Sequence, residues 1–177
     1  MKKIMELLQN MRAKNEKKDN KGFSLVELII VIAIMAILVG IVGTQVIPYI
    51  NKSKAAKDQQ VLNSISTAAV TAYSENADKI ADTNDIVIDV FGAAATTEPA
   101  KSIQEGIITA TGFTAVTGST PKTSLQVFQE ALTAEGKAEI KAVKVTFDQK
   151  NHKVTTEVEY NSGKTPKYPI KEVTATL

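Results

Sequence analysis

From Leu28 to Asn51 the chain runs for 24 residues without a charge, and from Leu28 to Gly43 every residue is apolar or glycine. A span of roughly 20 such residues crosses a bilayer as a helix. This run constrains the fold more than any other feature. A chain of 177 residues with 44% hydrophobic residues makes one globular domain with a modest core, and such a domain has little reason to bury so long an unbroken apolar segment. One domain plus a membrane-spanning appendage is the expectation.

The charges around the run give it a direction. The first 22 residues hold seven basic groups (Lys2, Lys3, Arg12, Lys14, Lys17, Lys18, Lys21) against three acidic ones (Glu6, Glu16, Asp19), whereas Lys52, Lys54 and Lys57 follow the run. The bias predicts a cytoplasmic N-terminus and an external C-terminal part. Beyond residue 22 there are 14 basic and 16 acidic side chains with no aromatic-interleaved basic stripe, so no nucleic acid is expected to bind the mature domain.

A secretory signal peptide also begins basic and then apolar, but its apolar stretch is about 7–15 residues and ends in a small-residue cleavage site. Here the small residue lies before the run, in Lys21-Gly22-Phe23. Cleavage there leaves the apolar segment with the mature chain. Glycine suits such a junction because its backbone reaches extended geometry in a narrow cleft without a side-chain clash.

The stretch Lys21-Gly22-Phe23-Ser24-Leu25-Val26-Glu27-Leu28-Ile29-Ile30-Val31-Ile32-Ala33-Ile34 resembles the class III signal of type IV prepilins, combining a basic leader, a Gly-Phe junction, one acid at a fixed place and a hydrophobic run. The resemblance implies cleavage after Gly22 by a prepilin peptidase that also methylates Phe23. It further implies a homo-oligomeric helical filament, dependence on inner pilus assembly machinery, and residence in the membrane before assembly and in a cell-surface pilus after it. The implied fold is the α+β pilin fold, a long N-terminal helix packed on a small C-terminal antiparallel sheet of three or four strands with a short extra helix. Its parts are a leader at 1–22, a transmembrane and polymerisation half-helix at 23–50, and an external domain at 51–177.

Glu27 needs an explanation, since an acid within a membrane segment costs up to about 2.5–3.5 kcal/mol at the bilayer centre and less near its edge. The resemblance implies that it is neutralised by the freed α-amino group of Phe23 on an adjoining subunit, setting registry. Locally, Ser24-Leu25-Val26-Glu27 also fits a capping box at a helix start. The two roles belong to different stages and are compatible.

Past Pro48 the spacing of Leu62, Ile65, Ala69, Ala72 and Tyr73 predicts an amphipathic continuation to about Asn76, with Lys57, Asp58, Gln59 and Gln60 on its polar side. Gly40, Gly43 and Pro48 interrupt the helix and mark its place of kinking or local melting. Ile86 to Phe91 reads as a short strand or extended segment, and residues 92–124 as a connecting loop rich in Ala, Thr, Ser and Gly. Thr123-Ser124-Leu125-Gln126 has capping-box form, with Leu125, Phe128, Ala131 and Leu132 on one helical face and Gly136 as the stop. Val143, Val145 and Phe147, then Val154, Thr156, Val158 and Tyr160, alternate as a hairpin; a third strand is expected around Tyr168 and Ile170, at an edge because of Pro166 and Pro169.

Catalytic chemistry finds no foothold in the sequence. His152, the only histidine, falls in the expected hairpin turn, there is no cysteine, and no phosphate loop or nucleophile elbow occurs. Asp82-Thr83-Asn84-Asp85 opens like a calcium loop, but Ile86 breaks the alternation and no glycine follows, so a solvated turn is expected and no metal. The expectation is a non-enzymatic subunit without cofactors: a major pilin serving adhesion, surface motility or biofilm formation, or alternatively a minor pilin or a pseudopilin of a secretion or DNA-uptake machine. A membrane-tethered binding protein or enzyme is the reading from another class. The lack of cysteine and the preference for lysine over arginine are compatible with a Gram-positive source.

Overall fold

In the computed structural model of the chain, the residues described are Lys3, Met5, Glu6, 23–80, 84–134 and 136–177. Helical structure runs from Leu25 to Glu75. It comprises α1 (Leu25–Ile41), a π-helical turn (Val42–Val46) and α2 (Ile47–Glu75). The chain divides into two units, Met1–Val46 and Ile47–Leu177.

In the first unit no residue of α1 is buried, in keeping with a sequence that is apolar on every side. Such a helix has no inward face, and only a surrounding apolar medium or neighbouring helices can cover it.

The second unit is α2 laid against a four-stranded antiparallel sheet, with two further helices, α3 (Ala100–Thr111) and α4 (Ser124–Ala131). The strands β1 (Ile86–Asp89), β2 (Ile140–Asp148), β3 (Lys153–Tyr160) and β4 (Val173–Thr176) pair in sequence order. Register sets Val145 between Ile88 and Thr156, and Phe147 between Ile86 and Val154. Because side chains alternate across a strand, Val143, Val145, Phe147, Val154 and Thr156 form one buried face. Leu62, Ile65, Ala69 and Ala72 of α2 belong to the same core, and Tyr73 stacks on Phe147 with ring centroids 5.0 Å apart. The architecture is α+β and consistent with the pilin fold.

Three expectations are corrected in this unit. Residues 92–124 are not all connecting loop, because α3 lies within them. It buries Ile103, Gln104 and Ile107, ends on left-handed Gly112, and approaches α2 so closely that a Cβ on Gly106 would sit 3.0 Å from that of Ala72. The last strand is not at Tyr168 and Ile170 but at Val173–Thr176. Pro166 and Pro169 have no N–H for a ladder, and pairing begins only beyond them, although Ile170 is buried and donates its N–H to the Tyr160 hydroxyl at 3.1 Å. Finally, α4 has the expected Thr123 capping box but stops at Ala131, which is exposed, well short of Gly136.

The early stop has a cause. Leu132 turns extended, and the N–H groups of Thr133 and Ala134 point to the carboxylate of Asp58 on α2, at 2.9 and 2.7 Å, with the Thr133 hydroxyl donating at 2.9 Å. Asp58, read from sequence as part of a polar side, is only 1% exposed. Gln59 beside it accepts from the Lys171 N–H and donates to the Lys171 carbonyl, both at 2.8 Å. Gln104 of α3 receives the Ala95 N–H at 2.7 Å and donates to the Asp89 carbonyl at 2.8 Å. These side chains fasten the loops of a domain that has no cysteine.

Candidate functional site

The chemically distinctive residues at the start of α1 are set by local capping. Ser24 is the N-cap; its hydroxyl accepts from the Val26 N–H at 3.3 Å, and Glu27 Oε2 accepts from the Ser24 N–H at 2.9 Å. The capping box expected from the sequence is present. Its consequence is positional: Glu27 is folded back toward the N-terminal end, near Phe23, instead of projecting along the apolar helix. Oε1 has no hydrogen-bond partner among the described residues, so capping leaves one carboxylate oxygen able to receive another donor. Phe23 is 81% exposed. Lys21 and Gly22, the other two residues of the expected cleavage junction, lie outside the described residues.

Between Phe23 and Ile50, nineteen large apolar side chains are exposed. Removing one such side chain from water is worth ~1.5–3 kcal/mol, so the segment as a whole carries a driving force of tens of kcal/mol toward an apolar environment. Among the described residues there is one helix long and apolar enough to cross a membrane, and this segment is its N-terminal part.

The π-helical turn Val42–Val46 falls between Gly40 and Pro48. Pro48 has no N–H to give to the carbonyl one turn earlier, and a widened turn is one way a helix accommodates such a fault. The Thr44 hydroxyl donates to the Gly40 carbonyl at 3.1 Å, and the Val42 N–H is shared between the Leu38 and Val39 carbonyls. A Cβ at either Gly40 or Gly43 would meet nothing within 4 Å. Within one subunit, therefore, neither glycine is required by close packing, and what both supply is a weaker helix.

Of the remaining candidates, Asp82 and Thr83 lie outside the described residues, while Asp85 accepts the Gln149 N–H at 3.3 Å. His152 occupies the β2–β3 turn with φ 51° and its carbonyl accepts the Leu177 N–H at 2.9 Å. Sequence reasoning missed the buried roles of Asp58 and Gln104 and the pairing of half-buried Gln59 with Lys171. Asp58 did carry a signal, since it lies four residues before Leu62 and so on the same helical face.

Comparison with known proteins agrees with this picture of the N-terminus. The family profile described as the prokaryotic N-terminal methylation motif matches residues 17–43, which span the junction, Glu27 and most of the apolar run. No curated protein and no solved structure matches the chain. The chain thus carries the class III signal of type IV pilins, followed by a long helix, and the motif implies processing by a prepilin peptidase and assembly into a pilus-like complex.

Proposed function

We propose that the chain is the precursor of a major type IV pilin: cut between Gly22 and Phe23, methylated on Phe23, held in a membrane by its apolar helix, and polymerised through that helix into a surface fibre. The observation that carries this reading is the coincidence of the methylation motif over 17–43 with a helix that buries none of its residues from Leu25 to Ile41. A helix with nothing to cover it in the subunit is built to be covered by lipid first and by copies of itself later.

In this reading cleavage does two electrostatic things at once. It removes a leader with seven basic and three acidic residues, and it creates a cationic amine at Phe23. Glu27 of a neighbouring subunit, with Oε1 still open, accepts that amine. Two unit charges 4 Å apart attract by roughly 4 kcal/mol at an effective dielectric of 20, enough to offset an acid's cost of up to ~2.5–3.5 kcal/mol at the bilayer centre and less near its edge. A subunit in register therefore cancels the penalty that an unregistered one retains. Gly40, Gly43 and Pro48 mark where the helix extends when subunits pack.

The full-sized outer domain favours a fibre subunit over a pseudopilin, and with it the surface roles of adhesion, motility and biofilm formation. Shearing fibres from the cell surface and identifying their dominant subunit tests the assignment. A major pilin dominates the sheared material. Trace amounts would instead assign a minor pilin or pseudopilin, and a monomer retained in the membrane with its leader intact would reject assembly altogether.

A further inference from the structure

The second unit is electrically lopsided. Two short segments, 49–59 and 161–172, carry six lysines (Lys52, Lys54, Lys57, Lys164, Lys167, Lys171) and two acids, Asp58 and Glu172, although residues 23–177 as a whole have more acids than bases. Asp58 is buried, its carboxylate taken up by the Thr133 and Ala134 donors. The paired hydrogen bonds between Gln59 and Lys171 bring the two segments together. Between them lies a groove of about 360 Å³, in which Lys52 and Ala56 face Lys167, Tyr168 and Lys171. No carboxylate is among the residues lining it, and the Lys167 ammonium lies 5.6 Å from the centre of the Tyr168 ring.

The groove also has an address. Lys52 is nine residues beyond Gly43, where the wholly apolar stretch ends. That is about 14 Å along a helix and no more than about 32 Å for any chain conformation. Tyr49, between them, is 76% exposed, and tyrosine is enriched where a membrane segment meets water. A groove with an apolar floor, an ammonium rim and a size at the low end of small-molecule sites suits one phosphate-bearing headgroup and is too small for a protein element. We propose that before assembly this groove binds the headgroup of an anionic phospholipid in the membrane that holds the apolar helix. The inference rests on the membrane-held reading above. Its consequence is a resting state in which the outer domain is docked at the bilayer surface, to be released when the subunit is drawn into a fibre.

The test uses the full chain incorporated singly into nanodiscs of phosphatidylcholine, alone or mixed with phosphatidylglycerol, with lysine acylation rates read by mass spectrometry. In the anionic discs Lys52, Lys167 and Lys171 are expected to react about fivefold more slowly, with Lys79 and Lys101 unchanged. Protection should vanish at molar salt. In a K167Q/K171Q variant Lys52 should lose its protection, and because both side chains are exposed the fold is not at risk.

Equal rates in the two lipids would overturn the proposal. So would protection of Lys54 and Lys57 equal to that of the groove lysines, which indicates general surface attraction. Full protection by soluble glycerol phosphate in neutral discs would mark a free-anion site, and protection only with two copies per disc a subunit interface. Failure of the chain to enter discs at all, read from co-elution, would instead remove the membrane-held reading.

Discussion

At the scale of single residues the decisive question is what Glu27 does. Capping and registry make different demands on its side chain, because a capping box accepts glutamine as readily as glutamate, whereas pairing with an amine needs the charge. Glu27→Gln is therefore expected to keep the helix start and leader cleavage but to lose most sheared fibre. Glu27→Ala loses the fibre together with the Glu27 half of the capping box, while the Ser24 hydroxyl still caps the helix. Fibre yield alongside the processed fraction checks both, and normal fibres from Glu27→Gln would reduce Glu27 to a cap. A second residue-scale prediction concerns Asp58, whose three hydrogen-bond donors all come from Thr133 and Ala134. Asp58→Ala leaves those donors without their acceptor and should destabilise the second unit by about 2–4 kcal/mol, since an unsatisfied buried group costs ~1–3 kcal/mol and the exposed Thr133 donors regain water. A urea titration of the full chain in detergent measures it.

At the scale of elements, the β2–β3 pair carries a pH signature. Glu159 on β3 bridges Lys141 and Lys144 on β2, and those hydrogen bonds and charges lower its carboxyl from 4.5 to about 2. A folded-state value below the unfolded one adds stability above the unfolded value and loses it as the proton binds. The contribution is thus complete at neutral pH and disappears between about 4.5 and 2. Thermal melts across that window should show a loss that Glu159→Gln lacks; parallel curves for the two proteins would contradict the pairing. The elements also show how much was readable. Period-two alternation exposed β2 and β3 because each has one buried face, and the capping boxes at Ser24 and Thr123 marked two helix starts. The helix α3 escaped because its Ile103, Ile107 and Ile108 lie in a tract of small polar residues, with a proline before it and Gly112 after it that read equally well as loop punctuation. The edge strand β4 escaped because Tyr168 and Ile170 offered stronger apolar residues than Val173 and Ala175, while the two prolines deny them a ladder. The position of Asp58 four residues before Leu62 signals its inward face, but its partners at 133–134, like the Gln59 partner at 171, lie at a distance that no local pattern spans.

At the scale of the whole molecule, two kinds of surface are joined in one chain. The second unit closes its own core with α2, α3, α4 and the sheet, and fastens its loops with Asp58, Gln59 and Gln104. The N-terminal helix closes nothing and offers its whole circumference to something else. Such a division suits the proposed fibre subunit, whose free energy of assembly would reside in the helix. In the proposed function, cleavage at Gly22-Phe23 converts a membrane precursor into an assembly-competent subunit. Mass spectrometry of the N-terminus of the chain recovered from cells reads this step: residues 23–177 beginning with N-methylated Phe23 are expected, and a chain starting at Met1, or one cut beyond the apolar run, rules the proposed processing out.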